Sequence, residues 1–211
     1  MKITWKSTEY GQFGFHAELD EYDGTPPVSS LLLDHSPQSI NPEREAIAGY
    51  LAFGHWASGD LHLPHKLGPN TATAIEADLK HIAIRPSPIE YYPKALEQGI
   101  RDVEVSFDLK SLVQSSTSIS VLPVSDWNGS LRTLHSIAVA SNAFALDAAA
   151  STTFPSIRAR LAVAVLFAGD LSADRLLIKN LSREIPEVEI SRLTNLLLSA
   201  RLGLQANYRP E

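Results

Sequence analysis

The chain has 211 residues, 44% hydrophobic and 20% charged, a composition and length that can bury a core without a metal or disulfide staple. It has no cysteine, which excludes disulfides, thiolate metal sites and a cysteine nucleophile, and which agrees with a cytoplasmic protein. The formal net charge of −6 argues against a nucleic-acid partner, because such binders usually carry a basic face.

The first ten residues, MKITWKSTEY, hold no apolar segment of the kind found in a signal peptide. Up to about Leu33 the pattern is strand and turn. Ile3 and Trp5 alternate with polar residues, and so do Phe13, Phe15, Ala17 and Leu19. The acidic stretch Glu18 to Gly24 ends in Asp-Gly, a turn signal, and Pro26-Pro27 precede the apolar run Val28 to Leu33. A helix follows, capped by Ser39 or Asn41, with Pro42 at its first position, Glu43 and Glu45 in its first turn, and Gly54 at its end. A second, shorter helix is expected from Thr71 to Lys80, with Ala72, Ile75 and Leu79 on one side.

His81 to Arg85 reads as a short strand before a proline-rich stretch. Arg101 to Lys110 is the clearest strand, with Val103, Val105, Phe107 and Leu109 facing the core. Ile119 to Val124 carries Pro123 and reads as an edge or short strand. Asp126 to Gly129 predicts a turn, across which Leu131 to Ser141 pairs back. From Phe154 the period is helical: Ile157, Leu161 and Val165 recur until Gly169. The apolar run Leu161 to Gly169 is far short of the roughly 20 residues that span a membrane, so no membrane partner is expected. Ser172 is expected to cap a helix from Ala173 to Lys179. Pro186 opens a last helix with Val188, Ile190, Leu193, Leu197 and Ala200 inward, closed by Gly203. No internal repeat is visible in the sequence.

These elements predict an α+β fold. An N-terminal, mainly antiparallel β region carries one or two inserted helices, and a C-terminal three-helix segment packs on it. The expected organisation is one domain over residues 1–204, β-rich over 1–150 and helical over 154–203, with a frayed tail over 205–211.

Candidate chemistry centres on histidine. Five of the seven histidines lie between His35 and His81, and Phe53 to Lys66 holds three of them. His62 and His65 stand three apart, but Pro64 forbids a helix there and a strand sends i and i+3 to opposite faces. Asp34-His35-Ser36 leaves an apolar strand, yet adjacent strand residues diverge and make no ready triad. The weak catalytic candidates are therefore Asp34, His35, His55, Asp60 and His62, with His55 and His62 the weak metal candidates. No cofactor and no bound metal are expected. Glu18, Asp20, Glu21 and Asp23 lack the spacing of a calcium loop and read as a solvated turn. Arg158, Arg160, Arg175, Lys179, Arg183, Arg192 and Arg201 read as a mixed, solvated surface. Trp5, Trp56 and Trp127 read as core or hairpin anchors.

The function expected from these features is that of a non-catalytic interaction subunit in a bacterial multi-protein assembly. It would act through a sheet edge and an apolar helical surface, with a protein partner or self-association. One motive is that several strands carry prolines that mark them as edges, which can add a partner strand; the second is the apolar width of the last helices, where Val163, Phe167, Leu196 and Leu198 fall outside the inward stripes. The alternative is a metal-dependent hydrolase built from His35, His55, Asp60 and His62. A third reading is a small-ligand or nucleic-acid binding module.

Overall fold

The computed structural model describes residues 1–79, 83–92, 95–108, 117–126, 129, 131–150 and 154–208. Helices and a mixed sheet of eleven strands share one continuous hydrophobic core.

The first half of the chain opens with β1 (Lys2–Ser7), β2 (Phe13–Glu18) and β3 (Ser30–Leu33), an antiparallel meander. Ile3, Phe15, Ala17, Leu31 and Leu33 face the core, as the period of two requires. Helix α1 (Pro42–Phe53) follows, with Pro42 in its first turn and the Asn41 side chain accepting from the Glu43 and Arg44 amides. Then come β4 (Asp60–Leu67), α2 (Pro69–Asp78) and β5 (Arg85–Ile89). β4 runs parallel to β1, and β5 parallel to β4, so the antiparallel character expected of this region stops at β3. β5 also starts where the strand predicted over His81 to Arg85 would end; residues 81–82 lie outside the described ones.

The second half opens with β6 (Arg101–Ser106), where Val103 and Val105 are buried as expected and Phe107 packs partly against the core; Leu109 lies outside the described residues. β7 (Ser118–Pro123) is no edge: it sits between β6 and β9 (Ser136–Ser141), parallel to both. Pro123 is tolerated because it is the last strand residue. The predicted hairpin across the turn does not form: within Leu131 to Ser141, β9 pairs with β7 in parallel, and the short β8 (Leu131–Arg132) is antiparallel to β9. Helices α3 (Ala143–Ala150) and α4 (Arg158–Phe167) come next.

The predicted C-terminal three-helix segment is corrected by the structure. Ala173–Leu181 is not a helix but strand β10, parallel to β6 and to β11 (Gly203–Tyr208), with α5 (Glu187–Leu198) between them in sequence. Ser172 does not cap a helix; its left-handed backbone (φ 52°) ends the turn that feeds β10. The residues from Gln205, expected to fray, complete the sheet as far as Tyr208.

The strand order is β11-β10-β6-β7-β9-β3-β2-β1-β4-β5. It contains a repeat that the sequence hides. With the short β8 and α3 of the second half set aside, each half has three strands, a helix, a strand, a helix and a strand, in the spatial order third, second, first, fourth, fifth. The helix pairs that correspond are α1 with α4 and α2 with α5. The halves differ in their second strand: β2 is antiparallel to both neighbours, β7 parallel to both. They join at the ends of β3 and β9, where Leu33 pairs with Ser141. Asn142 extends this thin seam by accepting from the Leu32 amide and donating to the Ser30 carbonyl, both at 2.8 Å.

α1 packs on α4, and residues 44–53 of the first and 161–167 of the second are buried all round. A helix apolar on every side belongs in the centre of a protein. Each fully buried Leu, Val or Phe there contributes roughly 1.5–3 kcal/mol. Ten strands laid flat would separate β5 from β11 by about 40 Å. Yet α2 lies against β5, α5 against β11, and α2 and α5 touch. The sheet therefore curves around the four helices. None of the helices among the described residues is long and apolar enough to cross a membrane.

Candidate functional site

Residues toward the C-terminal ends of the parallel strands β1 and β4 meet the first turn of α1, the end of a parallel arrangement where α/β proteins usually carry their ligands, and the chain leaving β3 leads into that turn. The Asp34-His35 pair stands there. His35 Nδ1 and Asp34 Oδ1 are 2.8 Å apart, and the His35 ring lies against Phe167 of α4 with centroids 5.1 Å apart. Asp34 Oδ2 and His35 Nε2 are sealed from solvent without a hydrogen-bond partner. A carboxylate holding one ring nitrogen is half of an acid–base relay. The other half needs a nucleophile or substrate on Nε2, and that atom is closed off.

The lead-in to α1 is fastened from the second half of the chain. The Asp170 carboxylate accepts from the Gln38 and Ser39 amides and pairs with Arg132 at 2.6 Å, whose guanidinium also stands over Phe167. Arg44, only 2% exposed, donates to the Ala173 carbonyl at 3.1 Å, and Glu97 lies 3.9 Å away. Burial holds the Arg44 pKa below its ordinary value; Glu97 and Asp174 offset this in part.

The other sequence candidates fall elsewhere. Asp60 and His62 sit on the outer, exposed face of β4 and pair across to β5: Asp60 with Arg85 at 2.7 Å, His62 with Ser87 Oγ at 2.7 Å. Arg85 holds the Asp60 carboxyl below the usual range. A Ser–His contact with an aspartate two residues away invites comparison with a triad, but that aspartate is engaged by arginine. His55, at the end of α1, stands edge-on to Trp56. Among the described residues no three His, Asp or Glu side chains gather as a metal site.

His62 and His65 do face opposite ways, as their spacing predicts. His65 Nδ1 meets the Glu45 carboxylate of α1 at 2.8 Å. Glu45 is 1% exposed and also accepts the indole N–H of Trp5, which stacks on Phe13 at 4.5 Å. Burial raises the Glu45 pKa, and the bonds from Trp5 and His65 offset part of the rise. This clip joins β1, α1 and β4. Glu43 bonds the Gly68 amide at 2.7 Å. The sequence placed Glu43 and Glu45 in the first turn, but spacing alone could not reveal their distant partners.

The larger polar feature that sequence reasoning missed joins all four corresponding helices. Arg158 of α4 contacts Asp78 of α2 and Glu189 of α5, each at 2.6 Å, and Tyr50 of α1 donates to Asp78 at 2.7 Å. Burial alone would lower the Arg158 pKa, but the two carboxylates raise it; burial and Asp78 raise that of Tyr50. Arg160 is likewise turned inward, onto Asp147 at 2.7 Å, and that carboxylate also accepts the Ala159 amide at the start of α4. These arginines are not part of the solvated basic surface expected for them.

The acidic turn also has an internal role. Asp20 and Asp23 bind the buried Met1 amine, Asp23 at 3.0 Å. Trp5 and Trp56 serve as anchors, and Trp127 lies outside the described residues.

The two sheet edges contrast most. β5 carries Pro86 and Pro88 within five residues. β11 is GLQANY, with neither proline nor charge, and among the described residues only one of its sides is paired. No family model, no curated protein and no solved structure matches this chain.

Proposed function

We propose that the protein is a non-catalytic interaction subunit of a bacterial, cytoplasmic assembly, and that it binds a partner strand along β11. The open β11 edge carries this reading. An edge strand presents unpaired N–H and C=O groups that a partner strand satisfies, and natural proteins block such edges with proline or charge unless they are used. β5 is blocked in that way and β11 is not. The apolar helical surface expected beside the edge is withdrawn for α4. Val163 and Phe167 are covered by the protein's own sheet and by α1, and so is Leu196 of α5. Val188 and Leu198 of α5 remain exposed.

A photo-reactive residue at Asn207, with Ser87 on β5 as control, tests the reading in the source cells. Protein adducts of defined mass at position 207 and none at 87 are expected. Absence of any adduct at 207 overturns it.

A further inference from the structure

We infer that the strand received by β11 is β11 of a second copy, paired antiparallel about Ala206; this rests on the edge reading above. In antiparallel pairing, opposed residues point to the same face. A two-fold through Ala206 opposes Leu204 to Tyr208 on the inner face and Gln205 to Asn207 on the outer face. Both are favourable classes of cross-strand pair, an aliphatic with an aromatic and an amide with an amide. β11 holds no charge, so nothing on it repels its own image. The two basic residues of the neighbouring strand are already paired, Arg175 with Asp102 at 3.3 Å and Lys179 with Glu104. α5, the helix packed on β11, leaves Val188 and Leu198 exposed near its two ends.

Gln205 and Asn207 are exposed, and Gln205 also accepts from Arg175 at 3.3 Å, a contact that both variants below lose alike; equal melting temperatures verify that the fold is kept. Sedimentation equilibrium of the full chain is expected to show a reversible dimer. The double variant Gln205→Lys, Asn207→Lys opposes lysine to lysine twice across the two-fold and weakens the dimer by roughly tenfold. Gln205→Lys with Asn207→Glu opposes lysine to glutamate twice and restores it. A chain that stays monomeric, or a dimer indifferent to both variants, overturns the self-pairing. The adduct at position 207 then separates the two ideas. A mass of twice the chain supports the second copy, a different protein leaves the edge reading standing without it, and no adduct removes both.

Discussion

Asp23 and the Met1 amine are paired at 3.0 Å, and their ionisations bear on stability at opposite ends of the pH range. Its burial would raise its pKa, but bonds from the Asp20 and Ser58 amides and the Met1 amine hold it below the ordinary 3.8. The stabilisation it gives is present above that value and is lost as pH falls through the lower folded pKa. The Met1 amine is held above its ordinary 8.0, because bonds to Asp20 and Asp23 outweigh the effect of burial. Its contribution is present below 8.0 and is lost as pH rises through the higher folded pKa. Asp23→Asn is expected to cost roughly 1.5–3 kcal/mol on the plateau and to flatten both limbs of the melting temperature against pH. A variant with both limbs unchanged contradicts the assignment. Arg158→Met leaves buried Asp78 with only the Tyr50 hydroxyl and buried Glu189 with only Arg192, 4.0 Å away, at a cost of roughly 3–5 kcal/mol in urea unfolding, whereas Tyr50→Phe costs about 1 kcal/mol. Equal effects of the two would show that the arginine is not the centre of the network.

At the level of elements, legibility in the sequence followed how much of each signal was local. α1 announces itself through Asn41, Pro42 and Gly54, all of which act within the helix or next to it. β6 shows a clean alternation because one face is wet. β10 does not: Leu176, Leu177 and Ile178 run together as they do in interior parallel strands, and Ala, Arg, Leu and Lys favour helix. Tertiary pairing to β6 and β11 overrode that preference. The same long-range dependence hid the Glu45–His65 clip, while the divergence of His62 and His65 followed from Pro64 and strand geometry alone. Docking of β6 on β10 needs a close approach at Gly99, where an added Cβ would stand 2.0 Å from the Ala173 carbonyl carbon. Gly99→Ala therefore forces the backbone apart, and a loss of several kcal/mol is expected, as for overpacking with a backbone shift. Thermal unfolding like that of the parent would disprove the contact.

On the scale of the whole molecule, the two halves of like topology bury α1 and α4 between them and bring α2 and α5 together inside a curved sheet. The repeat lies in connectivity rather than in residues, which is why no period appears along the chain. Curvature accounts for the apolar width of α4 without a partner, and it leaves the sheet with two edges of unequal chemistry. The claim that β11 is the open edge is tested most directly by hydrogen–deuterium exchange of the intact protein. The diluted chain is compared with the assembled form recovered from source cells. In the diluted chain the amides of β11 that point away from β10 exchange freely. In the assembled form those same amides are expected to slow, with β5 unchanged. Exchange at β11 that is equally fast in both forms, or slowing confined to β5, would contradict the account.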